Sequence, residues 1–398
     1  MDDPQPNNVK DLLVELKDAS ELMVDLAYAA VFFDEEKIAQ EVERLGDRSN
    51  RYLRRLRSIA MLAARSPEDA EGMAGVLWIA EAIQKIGDAA ADIARVVAVR
   101  LGIPDGLRRD LRHADEMTAR VRVHEDAPMV GQTLRDLSLP TETGMWVMAI
   151  RNGTRWAFDP GPGDVVSGRD VLLVRGPQEG VNLARQLAGA PAMPPTPDDE
   201  APPLSELDRA VDILVEMKDL AEAAVGLAYS SLLFNDKALT AEVGALEARS
   251  DVLEDELESW VLRAAPEARD VDELRGLIRL GSASESICDA ARDMTWYVEH
   301  GEALHPVVQM ALGETEETSV ETIVQPASPA DGRSLKDLRI ETETGMFVLG
   351  IHRGARWTYR PRGTFVLHAG DRLISLGPEE GEDELIGLCG EQPAPIEA

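Results

Sequence analysis

Apolar positions in residues 8–101 recur at helical spacing. Leu12, Leu13, Leu16, Leu22, Met23 and Leu26 mark one amphipathic stretch, and Ile38, Val42 and Leu45 mark the next. Asp34 is expected to cap the start of that second helix. Ser66-Pro67-Glu68 reads as a third start, with Ser as N-cap and Pro in the first turn. The third helix should run from about Glu68 to Leu101 and stop at Gly102-Ile103-Pro104. Three long helices with short joins predict a bundle.

From residue 120 to 188 the period shortens to that of strands. Arg120–Glu125 alternates, Leu134–Leu137 suits a short helix, and Trp146–Arg151 is a β-rich run closed by the hairpin pair Asn152-Gly153. Arg155–Phe158 is the returning strand, and the strand through Ile150-Arg151 (Ile351-His352 in the second copy) reads as an edge strand that leaves cationic side chains at the hairpin mouth. Val171–Val174 is a buried strand entered through Gly168-Arg169-Asp170, and Gln178–Leu187 is a closing helix. A domain this small buries a modest core, so pairing with a second copy is physically attractive.

That second copy is in the same chain. Thr141-Glu142-Thr143-Gly144-Met145 returns as Thr342-Glu343-Thr344-Gly345-Met346, an offset of 201. The same offset carries Leu26-Ala27-Tyr28 onto Leu227-Ala228-Tyr229, Arg155-Trp156 onto Arg356-Trp357, and Asp170 onto Asp371. One register across helical and strand-like sequence means a tandem duplication of a two-part unit. The expected fold class is therefore α+β multidomain. Two three-helix bundles, 8–101 and 206–300, alternate with two small α+β domains, 120–188 and 320–390. Residues 189–203, with six prolines and Asp198-Asp199-Glu200, read as a stiff charged linker. Residues 301–319 read as a helical connector.

Charge changes this picture. There are 73 Asp+Glu against 41 Lys+Arg in 398 residues, a net charge of −32. No basic stripe is visible, which speaks against nucleic acid and against an anionic membrane surface. A hydrophobic content of 44% argues against disorder, leaving a solvated acidic surface suited to high salt. The only cysteines, Cys288 and Cys389, lie in different domains and offer neither a disulfide framework nor a thiolate zinc site. With no long apolar run and no signal-like N-terminus, a cytoplasmic location is expected. Trp146, Trp156, Phe347 and Trp357 are expected as core or interface anchors.

Two sets of residues could carry chemistry. Asp88 and Asp92 share a helix face, as do Glu285, Asp289 and Asp293 in the second copy. Carboxylates so placed repel one another, and a hard cation would relieve them. The run from Ala80 through Ile86-Gly87-Asp88 and Asp92 to Ala94 resembles the signature of PhoU proteins, phosphate-signalling regulators made of two three-helix bundles. The resemblance implies divalent metal at Asp88, Asp92, Glu285, Asp289 and Asp293. Gln84 stands where Glu285 stands in copy two, and the helix-two cluster of that family has partial candidates only in Glu41 and Glu242.

The second set lies in the small domains. Gly144-Met145, Arg151-Asn152-Gly153, Arg155-Trp156 and Gly168-Arg169-Asp170-Val171 resemble the RCK C-terminal domain, also called TrkA-C. Copy two matches through Gly345-Met346, Ile351-His352-Arg353-Gly354, Arg356-Trp357 and Gly370-Asp371. The resemblance implies that such domains pair, within the chain or in a homodimer. It implies an anionic effector at the pair, cyclic di-AMP in some members, with Ile150, Arg151, Asn152, Arg155, Ile351, His352, Arg353 and Arg356 as contacts. It also implies a membrane potassium channel or transporter as partner, to which a cytoplasmic regulator could attach at the inner membrane face. No Gly-x-Gly-x-x-Gly follows a strand, and no P-loop, nucleophile elbow or Ser-His-Asp arrangement is present. A non-enzymatic regulator of potassium transport is the first reading. A phosphate-uptake regulator with metal is the second. A metal-dependent hydrolase is the third, and it lacks a His ligand or nucleophile.

Overall fold

A computed structural model describes residues 6–104, 107, 117–192, 205–266, 270–315, 317–354 and 356–390. The chain divides into two compact units, Met1–Ala114 with Asp198–Thr315, and Asp115–Pro197 with Glu316–Ala398. Residues 193–203 of the expected linker lie outside the described residues.

The first unit holds the helices. In copy one these are α1 (Val9–Phe33), α2 (Glu36–Ala63) and α3 (Pro67–Ala98). Asn8 and Ser66 cap α1 and α3 by accepting bonds from the backbone N–H groups of Asp11 and Asp69. Asp34 does not start α2 as the sequence suggested. It sits at φ 49°, ψ 49° and closes α1, its own N–H donating back to the last turn, while Glu35 takes the N-cap position.

The second unit begins with β1 (Met117–Arg122), α4 (Leu134–Leu137), α5 (Leu139–Thr143), β2 (Trp146–Asn152), β3 (Arg155–Phe158), β4 (Val171–Gly176) and α6 (Gln178–Leu187). Copy two of the bundle follows as α7 (Glu206–Phe234), α8 (Lys237–Ala264) and α9 (Val271–Met294), then α10 (Trp296–His300) and α11 (Pro306–Leu312). The second small domain comprises β5 (Thr318–Ile323), α12 (Leu335–Leu338), α13 (Ile340–Thr344), β6 (Phe347–Arg353), β7 (Arg356–Tyr359), β8 (Arg372–Gly377) and α14 (Glu379–Cys389).

The two bundles join through α3 against α9. The equivalent tyrosines close that join. Tyr28 and Ser284 hydroxyls lie 2.8 Å apart, and Ser20 and Tyr229 lie 3.1 Å apart. Both rings are buried, and burial pushes both phenols well above their ordinary range. Lys17 lies 5.2 Å over the Tyr229 ring and Lys218 lies 5.5 Å over Tyr28. Each copy thus reaches into the other with the same side chains.

Each small domain is a four-stranded antiparallel sheet, ordered β1-β4-β2-β3 and β5-β8-β6-β7. Alternate residues of each strand turn to one face. There Val121, Val123, Leu172 and Val174 pack with Met145 and Val181, and copy two does the same with Val324, Leu373, Met346 and Leu385. The order also corrects an expectation. The hairpin strand β2 is flanked by β4 and β3 and is not an edge; β1 and β3 are the edges.

The repeated Thr-Glu-Thr-Gly-Met stretch makes the seam between the two small domains, where α5 packs on α13. Thr143 Oγ1 donates to Leu139 O at 2.7 Å and accepts from Met145 N at 3.2 Å, ending the helix. Gly144 then turns at φ 71°, and a Cβ there would lie 2.6 Å from the Glu341 carbonyl oxygen across the seam. Gly345, at φ 72°, stands 2.5 Å by the same measure from the Pro140 oxygen. Position 140 is the equivalent of 341, so the contact is reciprocal about a pseudo-two-fold axis. Glycine is needed twice over, for the left-handed turn and for the close approach.

Candidate functional site

Around the hairpin, a carboxylate from the Gly-Asp turn acts as the hub. Asp170 is buried. Its Oδ1 accepts from Asn152 Nδ2 at 2.7 Å and its Oδ2 from Ser167 N at 2.8 Å. In copy two, Asp371 accepts from Arg353 Nε at 2.6 Å and from His368 N at 2.8 Å. Arg353 also donates to the Val366 oxygen at 2.7 Å and lies over the Phe365 ring. The bond to Asp371 and that carboxylate's charge push the Arg353 guanidinium up from its ordinary value. Asn152 and Arg353 are equivalent positions, so both hold the hairpin to the turn. Ile150 and Ile351 are buried in the sheets and shape the site from within.

The next position outward differs. Arg151 lies 5.2 Å over the Trp156 ring, and its equivalent His352 stacks on Trp357 at 4.8 Å. Arg120 approaches Trp156 from β1 at 6.0 Å, whereas Glu321 at the equivalent place takes Arg372 in a paired contact. Trp156 stacks on Phe158 at 5.4 Å and Trp357 on Tyr359 at 6.3 Å. The indoles expected as core or interface anchors are half-buried and carry cations on their faces. Arg155 and Arg356 are exposed at the hairpin ends. Among the described residues Arg151, Arg155 and Arg356 have no carboxylate partner. In copy one, Arg151 and Trp156 share a sheet face that can hold an anion, while Arg155, next to Trp156 in β3, turns to the other face.

The hairpin is distant from the end of the sheet nearest the seam. Trp146 pairs with Arg175 and Arg151 with Val171, so about 13 Å of strand separates Arg151 from Arg175. Arg175 pairs with Glu317 of the other small domain, both being nearly buried. The structure shows the two small domains joined at the seam, with residues 150–155 toward the far end of their sheet.

In the bundles, the predicted carboxylates part company. Asp88 accepts from Gln84 at 2.9 Å and Asp92 pairs with Arg95 at 2.6 Å. Asp293 is taken by Lys85 of the other copy at 2.6 Å. Asp289 alone of the predicted set joins a cluster, with Glu247 and Asp251 of α8, ligand oxygens within 4.8 Å of one another. Arg292 donates to both oxygens of Glu247. Glu285 stands one turn away. Its burial first, then the Asp289 and Glu254 carboxylates, push it up to about 7. A three-carboxylate set suits a hard divalent cation, with the Arg292 contact competing for one ligand.

Sequence reasoning looked for the helix-two partners at Glu41 and Glu242. Glu41 is instead paired with Arg44. Glu247 and Asp251, four residues apart, carried the signal, but they map onto Gly46 and Asn50 in copy one and the repeat hid them.

A PhoU domain model matches residues 13–97 and 214–297, and a TrkA-C domain model matches 118–189 and 320–390. The chain is a tandem of PhoU and TrkA-C domains. Both are regulatory rather than catalytic domain types, associated with phosphate or potassium. Among solved structures it is similar to PhoU from Pseudomonas aeruginosa, at 14% identity over 74% of this chain and 96% of that one, with a TM-score of 0.40. It is also similar to the GsuK RCK domain, at 14% identity over 69% of this chain and 63% of that one, with a TM-score of 0.18. A GsuK channel bound to NAD matches at 14% identity over 77% of this chain and 65% of that one, with a TM-score of 0.18. No curated protein matches significantly. Among the described residues, no helix of this PhoU–TrkA-C chain is long and apolar enough to cross a membrane.

Proposed function

We propose that this PhoU–TrkA-C protein regulates cation transport, potassium first, by taking a small anionic effector on its TrkA-C domains and acting on a membrane channel or transporter. The observation that carries the reading is Arg151 over Trp156 with Arg120 beside it, a cationic aromatic face in a chain of net charge −32. A planar nucleobase could stack there while a phosphate meets the guanidinium groups. The effector contacts are Arg151, Arg155, His352 and Arg356, with Asn152 and Arg353 holding the hairpin and Ile150 and Ile351 beneath it. Cytoplasmic placement and peripheral attachment through the transport partner belong to the same proposal.

Thermal-shift titration with cyclic di-AMP, other cyclic dinucleotides, ATP and inorganic phosphate tests it. The expected result is stabilisation by one of the nucleotides that Arg151→Glu abolishes. No stabilisation by any of them removes the reading.

The Glu247, Asp251 and Asp289 cluster favours a second reading, a phosphate-type regulator holding divalent metal in copy two. Metal analysis of purified protein decides it. A metal-free sample that Mg²⁺, Ca²⁺ and Mn²⁺ fail to stabilise would exclude it.

A further inference from the structure

The duplication has inverted the charge of one helix end. From Arg48 to Pro67 the chain has six arginines and no acid, +6, although the whole protein is strongly acidic. The equivalent stretch, 249–268, has two arginines and six acids, −4. The change falls on matched positions, Arg54 onto Asp255, Arg55 onto Glu256, and Arg57 onto Glu258. The absence of a basic stripe, as read from net charge, thus fails locally at the end of α2.

Both helix ends are exposed. Arg51, Arg54, Arg55, Met61 and Leu62 lie on one outward strip of α2, by their spacing. Met61 is 71% exposed and Leu62 83%. Arg51 and Arg54 have no ion-pair partner among the described residues. On α8, Asp255, Glu256 and Glu258 are exposed, with Val252 at 47% and Leu262 at 68%. Here Val252, Asp255, Glu256, Ser259, Trp260 and Arg263 line a shallow groove of about 330 Å³. The Trp260 indole already carries Arg209 at 4.7 Å and Arg263 at 4.6 Å, so the Asp255 and Glu256 carboxylates of the rim are what the groove offers an incoming arginine.

These strips cannot meet within one chain. α2 packs on α1 and α3, α8 packs on α7 and α9, and α3 packs on α9, so the strips lie at opposite outer edges of the paired bundles. We propose that the basic strip of α2 docks on the acidic strip of α8 in a second copy of this chain. Equal spacing, opposite charge and apolar residues at both ends favour that occupant over a lipid surface. A lipid surface would fit the basic strip alone and leave the acidic one unexplained. The contact is heterologous, so it closes a ring or propagates. A strip about 18 Å by 10 Å falls well short of the ~800 Å² per partner of a standard interface, so the association is weak and reversible. Salt near physiological strength, with a Debye length of about 8 Å, screens the bulk acidic repulsion more than pairs in contact.

Sedimentation velocity over a concentration series reads this directly. Wild-type protein should associate as concentration rises. Arg54→Glu/Arg55→Glu takes the basic stretch from +6 to +2 and Asp255→Arg/Glu256→Arg takes the acidic one from −4 to 0, so each alone should associate at least about tenfold more weakly. Mixed in equal amounts, the two variants should associate again. Far-UV circular dichroism checks folding, and Arg54→Gln/Arg55→Gln with Asp255→Asn/Glu256→Gln read the same loss should a reversal misfold. The proposal is overturned by a wild-type chain that stays monomeric throughout, by a reversed variant that associates as wild type does, or by a mixture that stays monomeric. Binding of monomeric wild type to phosphatidylserine vesicles, lost in Arg54→Glu/Arg55→Glu, would reassign the basic strip to membrane and overturn it too.

Discussion

The two halves of this chain agree where side chains pack and disagree where they meet solvent. Tyr28 and Tyr229, Gly144 and Gly345, and Asp170 and Asp371 do matched work at matched positions. Arg151 and His352, and Arg54 and Asp255, do not. Tyr28, Tyr229, Gly144 and Gly345 are held by contacts with the other copy, and Asp170 and Asp371 by the hairpin of their own domain, so a change at any of them disturbs packing. Surface positions are under no such constraint. The differences are therefore where the halves can have taken separate tasks. Copy two holds the carboxylate cluster, and copy one holds the more cationic sheet face.

The seam glycines should break the protein most, and equally in both copies. Gly144→Ala forces a side chain into a left-handed turn and against a backbone oxygen that cannot step aside. We expect a loss of about 3 kcal/mol in chemical denaturation, and a similar loss for Gly345→Ala. Gly153→Ala, with φ 59° and open space around it, should lose only about 1 kcal/mol. Equal losses at Gly144 and Gly153 would mean that the turn alone, not the partner domain, sets the cost.

The hub carboxylates should separate the copies. Asp371→Asn gives up a charged, two-pronged contact to Arg353 and should cost about 2 kcal/mol. Asp170→Asn disturbs neutral donors only and should cost about 1 kcal/mol. Denaturation of both variants side by side checks the order, and Arg353→Ala should shrink the difference. If Asp170→Asn proves the costlier change, the Arg353 contact is not the stronger anchor.

Much of the fold was legible because its signals are local. The helical period of Leu12 to Leu26, the Ser66-Pro67 start, the Asn152-Gly153 hairpin and the helix at Gln178–Leu187 are each set by a few neighbouring residues. The 201-residue offset then doubled every one of them. What escaped depends on contacts between distant residues. Helix α5 carries the repeated motif but is only five residues long, and its role lies in the α13 backbone opposite. Strand order was hidden because β4 enters between β1 and β2 from far along the chain. Asp34 misled because Asp, a preferred helix start, also takes on occasion the left-handed turn that ends a helix. The carboxylate cluster escaped because Glu247 and Asp251 meet Asp289 only when α8 packs on α9.

The smallest expected effect turns on one side chain, Glu285, where copy one has Gln84. In the folded protein its carboxyl titrates near 7, raised by burial and then by Asp289, against an ordinary value of 4.5. A raised acid holds its proton longer in the folded state than in the unfolded one. Between pH 4.5 and about 7 the folded state then binds more protons, so stability falls as pH rises through that window. Glu285→Gln makes copy two resemble copy one and removes this slope. In chelator-treated protein the variant should melt higher than wild type above pH 7, with the gap closing toward pH 4.5. Glu285 is only partly buried, so solvent screening keeps the gap small. A variant that melts lower than wild type at pH 8 would show that the Glu285 carboxylate is stabilised by its surroundings, which is the condition a resident cation would create and neighbouring acids alone would not.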